Sequence, residues 1–72
     1  MKKIYRMQDL ECAHCAAKME AAIAKLPGVQ SVTISFMTQK MSIETADENH
    51  AAIMDEAAKI CRKIEPDCRI VR

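Results

Sequence analysis

Residues 9 to 15, Asp-Leu-Glu-Cys-Ala-His-Cys, concentrate the side chains of this chain that could do chemistry. Cys12 and Cys15 are separated by two residues, a spacing at which both sulfurs can converge on one point. If Cys15 lies in the first turn of a helix, the unpaired backbone N–H groups and the helix dipole favour thiolates. We therefore expect both cysteine pKa values to lie below that of a free thiol. A thiolate pair of this kind can bind a soft metal ion or exchange disulfides.

Composition limits the other functions open to the chain. Its 72 residues suffice for one domain, half of them are apolar, and the formal net charge is +1. Acids and bases are interspersed, so no basic block indicates nucleic-acid binding. The N-terminus lacks the apolar stretch of a signal peptide, and no apolar run approaches membrane-spanning length. We expect a cytoplasmic monomer without direct membrane insertion, in which a close cysteine pair indicates metal or redox chemistry.

Hydrophobic periodicity predicts the elements that position the cysteine pair. Apolar residues alternate in the predicted strands and recur every three or four residues in the predicted helices. These elements are strands at 3–8, 29–36, 40–45 and from 68 onward, and helices at about 14–26 and 49–64. Asp47 or Asn49 can cap the second helix, and Pro66 follows its end. The order predicts an α+β, ferredoxin-like βαββαβ fold, with a four-stranded antiparallel sheet and two helices on one face. In this fold the cysteine loop and the turn at Pro66 are neighbours.

Two other functions are compatible with parts of this pattern. A thiol-disulfide redox module usually has a Trp before its CxxC motif and a Pro inside it, whereas the inner residues here are Ala13 and His14. RNA-recognition domains share the βαββαβ order but stack bases on aromatic residues of their central strands. The corresponding strands here contain only Tyr5, which the alternation directs inward. Metal binding is the favoured interpretation.

The remaining metal-binding side chains have ordinary structural interpretations as well. Glu11 directly precedes the first cysteine and is a candidate carboxylate ligand, although it could be a solvated acid at a helix start. His14 is a weaker candidate, because adjacent residues point in different directions. Cys61 and Cys68 fall on inward positions and are expected in the core, where thiols act as small hydrophobes. We expect His50 to be solvated.

The spacing from the cysteine pair to a later Leu-Pro-Gly-Val segment resembles the heavy-metal-associated domain family. The likeness covers roughly residues 3–71. Family members are small metallochaperones and N-terminal domains of metal-exporting P-type ATPases. Their pattern is Gly-Met-(Thr or Asp)-Cys-x-x-Cys, a helix, then Leu-Pro-Gly-Val and a strand. Leu10 stands at the Met position, Cys12 and Cys15 at the metal ligands, and residues 26–29 in register.

The resemblance implies that residues 1–72 form a single, non-catalytic heavy-metal-associated domain. Its partner would be a metal-exporting P-type ATPase, in the same or a separate chain. Leu10 and Pro66 would pack around the metal loop. Asp9 replaces the family Gly, and Asp tolerates a left-handed backbone better than most residues.

The same resemblance bears on the choice of ion. Copper-type members carry Thr before the first cysteine and Tyr at the position of Pro66, whereas zinc- and cadmium-type members often carry an acid, as Glu11 is here. Zn²⁺ or Cd²⁺ is therefore the favoured cargo, with Pb²⁺ or Cu⁺ as alternatives. A copper(I) metallochaperone is the alternative function.

Overall fold

Four strands and two helices follow one another in the predicted order. The computed structural model describes residues 1–72, apart from the side chain of Asp47. The elements are β1 (Lys2–Gln8), α1 (Ala13–Ala24), β2 (Val29–Ser35), β3 (Lys40–Thr45), a short 3₁₀ helix (Asp47–Asn49), α2 (His50–Ile64) and β4 (Arg69–Val71). Neither α-helix of the described chain has the length and apolar character needed to cross a bilayer.

The strands form one antiparallel sheet in the order β2-β3-β1-β4. At its centre Tyr5 of β1 faces Met41 of β3. At its edge Gln8, the last residue of β1, pairs with Arg69, the first residue of β4. This pairing places the segment after β1 beside the segment before β4. The ferredoxin-like arrangement and the expected proximity of the cysteine loop to the turn at Pro66 are therefore confirmed.

The core lies between the sheet and the two helices. Alternate residues of the strands point toward it, and the helices contribute residues three and four positions apart. Its fully buried side chains include Met19, Ile23, Met41, Ile43, Met54, Ala57, Cys61 and Cys68. The prediction that both later cysteines are core residues is confirmed, because they are 1% and 0% exposed respectively.

The helix ends follow local signals with one difference from expectation. α1 ends before Pro27-Gly28, where Gly28 has φ +91° and an added Cβ would lie 2.9 Å from Ile53 Cδ1. Glycine is therefore required there both by backbone conformation and by space. At the start of α2, Asn49 occupies the cap position but its side chain makes no capping hydrogen bond. The alternative cap, Asp47, lies outside the described side chains.

His50 is buried, and the expectation that it is solvated is wrong. The side chain is only 9% exposed. Its Nε2 lies 2.5 Å from the Tyr5 hydroxyl, and its Nδ1 lies 2.7 Å from Thr45 Oγ1. The imidazole also stacks on the Tyr5 ring, with centroids 5.9 Å apart. These polar partners stabilise a buried histidine at the start of α2, whereas the cysteine loop adjoins the end of that helix.

Candidate metal centre

The two cysteines lie at the N-terminus of α1. Cys12 is the cap residue, with an extended backbone at φ −135° and ψ 116°. Its sulfur accepts a hydrogen bond from the Cys15 backbone N–H at 3.2 Å, and its carbonyl accepts one from the Ala16 N–H at 3.0 Å. The Cys12 sulfur therefore takes the place of the usual oxygen cap. Both thiols are unoxidised and half-buried, so the pair remains open to solvent on one side.

The pKa values of the two thiols shift in opposite directions, which corrects the expectation that both are lowered. Hydrogen bonds from the side chain and backbone of Cys15 lower the pKa of Cys12. The same side-chain hydrogen bond, together with partial burial and the Cys12 charge, raises the pKa of Cys15 to about 11. In the metal-free state Cys15 therefore holds its proton more tightly than Cys12 does. Helix position alone does not predict this asymmetry, because its largest cause is the hydrogen bond between the two thiols.

The loop before the cysteines is held by a left-handed residue and a buried side chain. Asp9, which follows β1 directly, has φ 59°. The expectation that Asp can adopt the backbone of the family glycine is consistent with this angle. Leu10 is 2% exposed and packs into the core, as expected of a residue that anchors the loop. The chain therefore reverses at Asp9, buries Leu10 and returns to the surface at Cys12.

Gln39, in the turn between β2 and β3, binds this loop, and the sequence did not indicate its role. Its Oε1 accepts a hydrogen bond from the Leu10 N–H at 3.1 Å. Its Nε2 donates to the carbonyl oxygens of Leu10 at 2.6 Å and Phe36 at 2.8 Å. In addition, its carbonyl accepts a hydrogen bond from the Met7 N–H at 2.7 Å. A polar turn residue gives no local signal for such contacts, because they depend on the pairing of β3 with β1.

Glu65, at the end of α2, is a second residue that sequence reasoning missed. Its Oε1 accepts a hydrogen bond from the Glu11 N–H at 3.3 Å. Its Oε2 is buried and, within the described part of the chain, has no hydrogen-bond partner. Its negative charge contributes to raising the pKa values of Cys15 and Cys68 and opposes the lowering of that of Cys12. Its place beside the predicted Pro66 turn was the one available signal.

The other predicted site residues lie around the pair without forming a ready-made ligand set. Glu11 and His14 are both exposed, and so is Pro66. Glu11 and Pro66 line the same shallow depression, together with Arg69. Among the side chains that the structure describes, no three His, Cys, Asp or Glu converge as metal ligands. The assignment of Glu11 and His14 as ligands stays a prediction.

The match to a family model decides what kind of domain this is. The model of the heavy-metal-associated domain matches residues 4–68, which include the whole cysteine loop and both helices. The chain belongs to the heavy-metal-associated domain family. The resemblance noted from the cysteine spacing and the Leu-Pro-Gly-Val segment is therefore confirmed.

Relatives of this heavy-metal-associated domain include both transporters and a chaperone. It is 40% identical over 40 residues to the cadmium-transporting ATPase of Staphylococcus aureus, a match that covers 56% of this chain and 6% of that protein. It is 27% identical over 64 residues to the copper chaperone CopZ of Enterococcus hirae, covering 89% of this chain and 86% of the chaperone. Among solved structures, a CopZ metallochaperone superposes with a TM-score of 0.76 at 18% identity, covering 99% of this chain and 100% of that one.

The geometry of this heavy-metal-associated domain suits a loosely enclosed soft ion. Thiolates bind soft and borderline metals strongly, and the one-turn spacing lets two sulfurs share an ion. Two protein ligands leave further coordination positions of a divalent ion open. The open side of the pair faces solvent, where a further ligand can enter.

Proposed function

We propose that this domain binds one divalent heavy-metal ion through Cys12 and Cys15 and delivers it to, or regulates, a metal-exporting P-type ATPase. Zn²⁺ and Cd²⁺ are the favoured cargo. The domain acts in the cytoplasm, either within the ATPase chain or as a separate metallochaperone, with residues 1–72 as one domain. It catalyses no reaction itself. The observation that carries the proposal is the half-buried pair of thiols at the start of α1.

Transfer of the ion to a partner follows from the openness of the pair. A metal site that is meant to keep its ion surrounds it with four protein ligands. Here two sulfurs lie on one loop and one helix start, so thiolates of a partner can enter the coordination sphere before the first two leave. The proton held by Cys15 must be released as the ion binds, and protonation of the pair favours release.

Preference for a divalent ion follows from the local charge. Two thiolates neutralise a divalent ion, which gains from further oxygen donors, whereas Cu⁺ is satisfied by two sulfurs. Glu11 directly precedes Cys12, and its exposed side chain can turn toward the pair. The likeness to cadmium-transporting and zinc/cadmium/lead-transporting ATPases supports the same preference.

A copper(I) metallochaperone is the alternative. The likeness to the copper chaperone of Enterococcus hirae supports it, because that match spans 86% of a protein of similar size. A pair of thiolates is also sufficient for Cu⁺ without any carboxylate. The two functions therefore differ in whether the acids beside the loop affect the affinity for the ion.

Competition titrations of the Glu11→Ala variant distinguish the two functions. With Glu11 as an oxygen donor, its loss weakens Zn²⁺ and Cd²⁺ binding by about ten- to a hundred-fold and leaves Cu⁺ within a few-fold. Glu48→Ala is the matched control, since this exposed acid lies in the 3₁₀ helix before α2, whereas the cysteine loop adjoins the other end of α2, about 20 Å along that helix. The titrations are run anaerobically against chelators of known affinity. Equal losses for Cu⁺ and Zn²⁺, or no loss for either, would rule out Glu11 as a selective donor.

A further inference from the structure

We propose that Glu65 determines the charge class of the bound ion, favouring divalent over monovalent metals at the cysteine pair. This inference rests on the proposed metal-binding function and deepens it by naming a specificity-determining residue. It concerns the residue that caps the C-terminus of α2, which is not one of the residues that carry the family pattern. Three structural observations support it.

The first observation is that the backbone of Glu65 is fixed on both sides. Its N–H donates to the Cys61 carbonyl at 2.8 Å, and its carbonyl accepts from the Cys68 N–H at 3.0 Å. These two hydrogen bonds close the end of α2 onto the start of β4. The side chain therefore extends from a rigid point toward the cysteine loop, where Oε1 accepts the Glu11 N–H. The carboxylate and the loop are held together by a contact between residues 54 positions apart.

The second observation is the buried oxygen Oε2, which has no hydrogen-bond partner among the described residues. Leaving a buried carboxylate oxygen unpaired is unfavourable, because it has lost water without gaining a donor. Positive charge nearby would offset that cost. Two thiols and a carboxylate supply no such charge by themselves, whereas a cation bound at Cys12 and Cys15 would supply it.

The third observation is the place of Glu65 relative to the first sulfur ligand. Its Oε1 accepts the N–H of Glu11 at 3.3 Å, and Glu11 directly precedes Cys12 in the chain. The carboxylate therefore lies against the backbone of the cysteine loop itself. The net charge of the ion with its two thiolates therefore interacts with the Glu65 carboxylate.

The charge of the complex differs between the two classes of ion. Two thiolates with Cu⁺ carry a net charge of −1, whereas two thiolates with Zn²⁺ or Cd²⁺ are neutral. A carboxylate beside the pair repels the first complex and leaves the second without net repulsion. This difference in repulsion is expected to change the ratio of affinities about ten-fold.

The test is the ratio of Zn²⁺ to Cu⁺ affinity in Glu65→Gln. Glutamine keeps the size of the side chain and an oxygen that can accept the Glu11 N–H, so it removes the charge selectively. The ratio is expected to fall about ten-fold relative to the native protein. Glu48→Gln removes the same charge far from the loop and should leave the ratio within two-fold. The Glu11 amide resonance in NMR reports whether the hydrogen bond to residue 65 is retained.

A second variant, Glu65→Gly, covers the case in which Glu65→Gln does not fold. Glu65→Gly removes the charge without inserting an amide into a buried position, and it should lower the ratio to the same extent. An unchanged ratio in the folded variants would overturn the role of Glu65, as would equal changes for both ions. Failure of the proposed function looks different, because the native protein would then bind neither ion more tightly than the Cys12→Ser variant does.

Discussion

The side-chain amide of Gln39 pairs with both backbone polar groups of Leu10. The Leu10 N–H donates to Oε1 at 3.1 Å, and Nε2 donates to the Leu10 carbonyl at 2.6 Å. The two groups thereby reproduce the paired hydrogen bonds of neighbouring strands, but between a side chain and a loop. Leu10 lies two residues before Cys12, so the turn between β2 and β3 fixes the backbone that leads into the cysteine loop.

Gln39→Met tests this pairing. Methionine has a similar length but can neither donate nor accept these hydrogen bonds, so the polar groups of Leu10 lose their partners. We expect the free energy of unfolding to fall by about 1–3 kcal/mol and the Leu10 amide to exchange faster with solvent. Metal should dissociate several-fold faster, because the loop is less rigid. Thr38→Val, in the same turn, is the control. Unaltered exchange at Leu10 would show that Gln39 does not hold the loop.

The asymmetry of the two thiols predicts unequal reactivity in the metal-free protein. The lowered pKa of Cys12 means that its thiolate is present at lower pH than an ordinary thiol, whereas Cys15, with a pKa of about 11, stays protonated at neutral pH. Alkylation near pH 7, followed by peptide mass spectrometry, should therefore modify Cys12 first. In Cys12→Ser the Cys15 thiol loses its charged partner, so it should react faster than in the native protein. Equal rates for both cysteines at pH 7 would contradict the opposite shifts of their pKa values.

The buried thiols predict a loss of stability in alkaline solution. Burial is the main cause that raises the pKa of Cys61 to about 12 and that of Cys68 to about 11, from an ordinary value of 9.0. Between these values the unfolded chain has released protons that the folded chain retains, so stability falls as pH rises from about 9. Urea unfolding at pH 8 and pH 10.5 should show this fall. The double variant Cys61→Ala, Cys68→Val should lose less stability between these two pH values. An identical pH dependence in both proteins would contradict this prediction.

The same double variant tests which sulfurs hold the ion. Cys61 and Cys68 are core residues, so their replacement should leave metal stoichiometry unchanged and shift stability by about 1 kcal/mol per site. Cys12→Ser and Cys15→Ser should instead reduce affinity by orders of magnitude at little cost in folding. Metal content is measured after desalting under reducing conditions. A comparable loss of metal in the double variant would indicate a four-sulfur site.

Folding without metal is expected, because neither cysteine of the pair is a buried core residue. The buried residues of the sheet and helices pack against one another, and Cys15 only borders them. Metal should therefore stabilise the domain through binding linkage, unlike a zinc finger, which is unfolded without its ion. Amide NMR spectra of the reduced protein, with and without chelator, provide the measurement. Collapse of the amide dispersion on removal of metal would reverse this conclusion.

The order of elements and the position of the cysteine pair could be predicted from the sequence, because both depend on local pattern. Alternation and three- to four-residue spacing reflect the geometry of a single strand or helix. The core thiols Cys61 and Cys68 followed from the same periodicity. Even the burial of His50 had a local signal, since it lies three residues before Ile53 on the apolar stripe of α2, although its polar side chain favoured a solvated interpretation.

Three features of the site could be seen only in the tertiary structure. They are the raised pKa of Cys15, the hydrogen bonds between Gln39 and Leu10, and the position of the Glu65 carboxylate beside the loop. Each depends on the distance between particular atoms that the chain brings together. Gln39 reaches Leu10 across 29 positions and Glu65 reaches Glu11 across 54, through strand pairings that no local pattern records. Hydrogen bonds and electrostatic effects on pKa vary steeply with separation. Sequence spacing therefore identified the two sulfurs, whereas their acidity and their charged surroundings required the packing of α2 and the β2–β3 turn against the loop.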